Sequence, residues 1–216
     1  MPPIITTANL VCKDGQARDK VLSHFHAIAK YTYEYEPLVH RYIISIPIDV
    51  TNTTDIWMVE MYASPEVQAA HIATPPVDAL IDLFTNTDVL VSAPDVHDLP
   101  LAFHKPCPGV SHMSNPAVVL AWFEYVEGKI DHALDGWREV VDYVTDNEEW
   151  TRGYAVMGDT EENKLRTVEV YDSWECVEDV HMKSPAIKKN HVHNGRDRLR
   201  QGAVKVKVVG GFLGRD

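Results

Sequence analysis

Glu60-Met-Tyr-Ala-Ser-Pro-Glu-Val-Gln-Ala-Ala-His71-Ile-Ala-Thr-Pro75 returns later in the chain as Glu169-Val-Tyr-Asp-Ser-Trp-Glu-Cys-Val-Glu-Asp-Val-His181-Met-Lys-Ser-Pro185, with one residue inserted before the second histidine. A repeat this long is not a solenoid unit, whose period is roughly 20–50 residues; it signals two copies of a small domain. The match continues upstream. Phe25, Tyr31 and Tyr42 pair with Trp137, Tyr143 and Tyr154 at an offset of 112, Tyr62 with Tyr171 at 109, and His71 and Pro75 with His181 and Pro185 at 110. Three residues are therefore lost in the hairpin between Tyr42 and Tyr62 and one is regained in the following helix, as expected of loops and helix breaks.

The 216 residues divide into halves near the common domain size, each just able to bury a core. An apolar content of 45% is ordinary for a globular protein. The net charge of −12 disfavours nucleic acid and anionic membrane surfaces, which draw their affinity from Lys and Arg. The one basic stretch, Lys188-Lys189 to Arg200, is read as a solvated helix face. Cys12, Cys107 and Cys176 are odd in number and lack CxxC spacing, against a disulfide framework or zinc site. No signal peptide and no membrane-spanning run is found, so a cytoplasmic location is expected.

In the first copy Ile4 to Cys12 reads as a strand, followed by the turn Lys13-Asp14-Gly15. Val21, Leu22, Phe25, Ile28, Ala29 and Thr32 then keep to one helical face until Pro37. Val39 to Val50 and Ile56 to Tyr62 form a hairpin. Ser64-Pro65-Glu66 opens a second helix, broken at Pro75-Pro76, and a strand follows around Val96 to Leu101. The second copy repeats the order, with its broken helix expected from Trp174 to about Arg200 and its last strand from Val204 to Phe212. Each half is thus βαββαβ, which predicts a four-stranded antiparallel sheet with both helices on one face. The expected division is residues 1–103, a Pro-rich linker 104–116, and residues 117–216. Two such sheets can cover each other as an intramolecular pseudo-dimer, so the chain could be a monomer or pair further as a homodimer.

Lys13-Asp-Gly15 after the first strand, with Glu60-x-Tyr62-x-Ser64, Glu66, His71 and Pro75 and their recurrence at Glu169, Tyr171, Ser173, Glu175, His181 and Pro185, resembles the antibiotic biosynthesis monooxygenase domain of the dimeric α+β barrel superfamily. The resemblance covers nearly the whole chain outside the linker and implies two ferredoxin-like repeats. It also implies an enzyme: a cofactor-independent monooxygenase that oxidises a phenolic or anthrone-like polyketide, or another aromatic secondary metabolite, with O2. A polyketide cyclase or decarboxylase, or a small-aromatic-ligand binding protein, would use the same pocket. The haem-degrading branch of the superfamily is disfavoured, because the strand position of its Trp holds Tyr62 and Tyr171.

Such chemistry needs a dry pocket, a base and donors for an enolate or phenolate, and no cofactor or metal. Histidine as a residue type can exchange a proton near neutral pH, which makes His71 the candidate base, with Tyr62 and His181 as further catalytic candidates. Each histidine could equally be a structural helix residue, and each tyrosine a core residue. Tyr42, Trp57 and Phe25 in the first copy, and Tyr154, Tyr171 and Trp137 in the second, are the candidate substrate-binding residues. Glu60 and Glu169 share a strand face with the tyrosines and are read as holding the fold together. The first copy is the favoured site.

Overall fold

The computed structural model describes residues 2–106 and 109–215. The elements are β1 Ile4–Val11, α1 Gly15–Tyr35, β2 Val39–Pro47, β3 Asp55–Tyr62, α2 Pro65–Ile72, α3 Pro75–Asn86, β4 Asp95–Lys105, β5 Ala117–Tyr125, α4 Ile130–Asn147, β6 Thr151–Asp159, β7 Lys164–Tyr171, α5 Pro185–Asn194 and β8 Arg198–Phe212. The class is α+β and the βαββαβ order recurs, as the repeat requires. No helix among the described residues is long and apolar enough to cross a membrane.

The compact units are not the contiguous halves expected. One comprises residues 1–98 and 206–216, the other residues 99–205, so the boundaries fall inside β4 and β8. In the first unit the sheet order is β1-β3-β2-β8, and in the second β5-β7-β6-β4. β2 pairs with Val206 to Phe212 of the last strand, and β6 with Leu101 to Lys105 of the fourth. The described strand pairs are all antiparallel, with β3 between β1 and β2 and β7 between β5 and β6. Part of the expected linker is thus strand, since β4 runs to Lys105; Cys107 and Pro108 lie outside the described residues.

Local chemistry sets the helix ends. Asp14 caps α1 by accepting Ala17 N at 2.8 Å, and Ser64 and Ser184 cap α2 and α5 at 3.4 and 3.2 Å, each followed by a proline at the first helical position. α1 buries Val21, Phe25, Ile28, Ala29 and Thr32 against its own sheet, and α4 buries Trp137, Val140, Val141 and Val144 likewise. The second broken helix differs from the sequence reading. It begins as a π-helical turn, Cys176–Val180, tightens to a 3-10 turn, His181–Lys183, and continues as α5, which ends at Asn194. Arg198 and Arg200 therefore open a strand and do not lie on a helix face.

Candidate active site

A carboxylate that the sequence reading passed over organises each unit, Glu36 in the first and Glu148 in the second. Glu36 is the last cap of α1, held by its own N–H on Thr32 O and by Val39 N on its carbonyl, both at 3.0 Å. Its backbone leaves the helix at φ −121°, ψ 72°. Its side chain accepts Thr32 Oγ1 at 2.8 Å and faces His71 Nδ1 at 2.9 Å. Glu148 ends α4 at φ −122°, ψ 78°, where its side chain accepts Thr151 Oγ1 at 2.8 Å and faces His181 Nδ1 at 2.9 Å. The pair 36 and 148 obeys the offset of 112 that links Tyr42 to Tyr154, so the repeat itself carried the signal.

Each histidine is buried between two tyrosine rings. His71 lies 5.8 Å from Tyr42 and 5.4 Å from Tyr62, and His181 lies 5.5 Å from Tyr154 and 5.3 Å from Tyr171. With Glu36 holding Nδ1, the Nε2 of His71 is left facing Glu60 Oε2 at 3.8 Å. Tyr62 donates its hydroxyl to that same Oε2. The result is a file of groups, Glu36, His71, Glu60, Tyr62, in which carboxylates and hydrogen-bonding rings alternate.

The file ends in a cavity of about 190 Å³ in the first unit, whose apolar wall includes Leu10, Phe25, Ile28, Met58, Leu80 and Phe84. Phe25, Tyr42, Tyr62 and His71 line it as expected. Trp57 does not: strand alternation sends Met58, Glu60 and Tyr62 to the cavity and Trp57 to the other side of β3. Gln68, Thr6 and Asp98 form a second polar group there, with Gln68 Nε2 and Thr6 Oγ1 each donating to Asp98 Oδ1 at 2.6 Å.

Burial raises the Glu60 carboxyl above its ordinary value, and His71 and the Tyr62 hydroxyl only partly offset this. Burial and the Glu60 charge also push the Tyr62 and Tyr42 phenols up, so both stay neutral. Glu148 behaves oppositely. Burial opposes its ionisation, but hydrogen bonds from His181 and Thr151, with the charges of His181 and Lys105, outweigh that and leave it below the ordinary value.

The second unit has its own cavity, of about 220 Å³. Trp137, Tyr154 and His181 line it, whereas Tyr171 stands behind Glu169, to which it donates at 2.7 Å. Thr167 donates to the other oxygen of Glu169 at 2.7 Å. Met58 stands at the place of Thr167 in the first unit and has no hydroxyl to give. Both oxygens of Glu169 are therefore bonded to neighbouring hydroxyls, while Glu60 accepts a single hydroxyl. Arg198 and Asn190, which also line the second cavity, were not anticipated. Arg198 escaped notice because the sequence reading placed it on a solvated helix.

No protein-family model and no curated protein sequence matches the chain. Solved structures do. Two that carry the name putative monooxygenase, from Lactobacillus acidophilus NCFM and from Fusobacterium nucleatum subsp. nucleatum, are each 14% identical and superpose with TM-scores of 0.78 and 0.82. Both alignments cover 100% of this chain, with 100% and 98% of the other chain. An anthrone oxidase-like protein aligns over 97% of this chain and 92% of its own at a TM-score of 0.63 and 11% identity. The tandem α+β fold expected from the repeat is thus shared with these structures along the whole chain.

Proposed function

We propose that the first unit is a cofactor-independent monooxygenase site for a small electron-rich phenol, with Glu60 as its base. The observation that carries this reading is the position of Glu60, a largely buried carboxylate of raised proton affinity at the polar end of an apolar cavity. A base is most effective when its pKa approaches the working pH, and burial moves a carboxylate in that direction. His71, the base expected from the sequence, shares the cavity wall but is 3% exposed and held at Nδ1 by Glu36, so in this reading it acts as the partner through which Glu36 fixes the relay.

Glu60 takes a proton from the substrate, and the resulting anion gives an electron to O2. Recombination of the radical pair forms a C–O bond, and the hydroperoxide loses water. One oxygen atom stays in the product as a new carbonyl or quinone oxygen, and the other leaves in H2O with the two hydrogens removed. Tyr42 remains protonated and can donate to the developing oxyanion, while the hydroxyl of Tyr62 holds Glu60 in place. A cavity of ~150 Å³ accepts benzene, so the space here suits one or two fused rings better than a three-ring anthrone. The names of the structural neighbours are in keeping with this reading.

The test is oxygen uptake with naphthols, quinols and anthrone in metal-free buffer. Protein-dependent uptake that Glu60→Gln lowers by ~10²-fold or more, with naphthol still bound, supports the reading. Uptake unaffected by Glu60→Gln overturns the assignment of the base. No uptake despite binding points instead to a cyclase, a lyase or a binding protein.

A further inference from the structure

The cavity of the second unit holds a cation whose hydrogen bonds are incomplete. Arg198 is partly buried beside the rings of Phe123, Tyr125 and Trp137, its guanidinium carbon 4.8, 5.8 and 6.0 Å from their centroids. Its Nη1 donates to Gln201 Oε1 at 2.8 Å, and its Nη2 to Asn190 Oδ1 at 2.8 Å and Tyr125 OH at 3.5 Å. These acceptors are all neutral. Among the described residues no carboxylate pairs with Arg198, and its Nε is buried with no hydrogen-bond partner.

Asn190 presents a second unmet donor. It is 4% exposed and lines the cavity, and its Nδ2 has no partner among the described residues. The amide orientation is fixed chemically, because Arg198 can only donate and so must face Oδ1. A buried unsatisfied donor and an uncompensated guanidinium are each costly, and one acceptor of negative charge would relieve both. The guanidinium fork matches a carboxylate. Glu169 lines the same cavity, but its two oxygens are already bonded to Thr167 and Tyr171, and the exposed His191 also lies on the wall.

The first cavity is lined by Glu60 and Asp98, with no Lys or Arg among its lining residues. The two repeats have thus kept the same pairing of a histidine with the carboxylate that ends the first helix, and diverged in the charge they offer a ligand. We propose that the cavity of the second unit binds a small aromatic carboxylate, with Arg198 and the Asn190 amide receiving the carboxylate and Trp137 and Phe123 the ring.

The experiment is calorimetric titration of the full chain with 1-naphthoate and, separately, 2-naphthol. Naphthoate is expected to bind and quench Trp137, with quenching reduced in Trp137→Phe. Arg198→Met should weaken naphthoate at least tenfold while leaving naphthol binding, and oxygen uptake by the first unit, unchanged. Arg198→Lys, which keeps the charge but not the fork, and Asn190→Ala should each weaken it at least threefold, and these decide the matter if Arg198→Met does not fold. Naphthoate that fails to bind at millimolar concentration, or that binds these variants within twofold of wild type, overturns the proposal.

Discussion

His181 reaches Glu148 at 2.9 Å from a helical segment that carries one residue more than the segment bringing His71 to Glu36 at the same distance. The extra residue is absorbed by the π-helical turn Cys176–Val180, which closes hydrogen bonds over one more residue than an α-turn and so restores the phase of everything after it. The histidine's position is preserved and the regularity of the helix is given up.

Deleting Val180 should convert that turn to α-helix and leave the pair intact, since the segment would then match the spacing of α2. The melting temperature should change by less than ~4 °C, equivalent to roughly 1–2 kcal/mol in a chain of this size. Deleting Ala70 from α2 instead turns His71 by ~100° off its face. Breaking a buried pair costs about 3–5 kcal/mol, so that variant should melt at least ~6 °C lower. Equal effects of the two deletions in scanning calorimetry would refute the phase argument.

The opposite shifts of Glu148 and Glu60 predict opposite stability effects. Glu148 is lowered in the folded state, so its contribution is full above the ordinary value of 4.5 and is lost as pH falls through the folded value. Glu60 is raised, so its contribution is full below 4.5 and is lost as pH rises through the folded value. At pH 7, Glu148→Gln should therefore lower the melting temperature and Glu60→Gln raise it. The gap between the two variants should narrow toward pH 4. Destabilisation by Glu60→Gln at pH 7 would count against Glu60 as a carboxylate held at the expense of stability for chemistry.

The repeat made the element order, the positions of His71 and His181, and the cavity-lining Phe25, Tyr42, Trp137 and Tyr154 legible, because matched residues at a fixed offset survive any ignorance of the fold. Trp57 was misassigned because an aromatic on a strand can face either side, and only pairing fixes which. Strand exchange was invisible for a related reason: β8 is as good a partner for β2 by local propensity as for any strand of its own repeat. Glu36 and Glu148 were legible and overlooked. A charged residue beside Pro37 reads as a loop, although its offset to Glu148 was that of the tyrosines.

Cys12 should be inert. It is fully buried at the end of β1, bridged to Leu90, and burial pushes its thiol up to about 11. Roughly a thousandth of it is thiolate at pH 8, and the thiolate is the reactive form. Iodoacetamide under native conditions should modify the partly exposed Cys176 and leave Cys12 untouched until the protein unfolds, as read by peptide mass spectrometry. Comparable labelling of both would show that β1 opens far more readily than its packing implies.

The carbonyls at the end of each first helix are held by a distant cation. Arg215 donates to Thr32 O, Tyr33 O, Glu36 O and Val39 O at 2.7, 3.0, 3.0 and 2.7 Å. In the other unit Lys105 donates to Val144 O and Glu148 O at 3.0 and 2.6 Å, the residues matching Thr32 and Glu36. A cation here satisfies the orphan carbonyls of a helix C-terminus and complements its dipole. It also fixes the backbone of the residue whose side chain orients the histidine. Arg215→Ala should therefore cost about 1–3 kcal/mol and raise amide exchange at Glu36 and Val39 ahead of the rest of the unit. Arg215→Lys should recover only part of this, since an ammonium cannot span four carbonyls as the guanidinium fork does. If Glu36 is the residue that matters, Arg215→Ala lowers kcat for oxygen uptake and leaves KM for naphthol near wild type. A change confined to KM would assign Arg215 to the stability of the cavity wall and not to the relay.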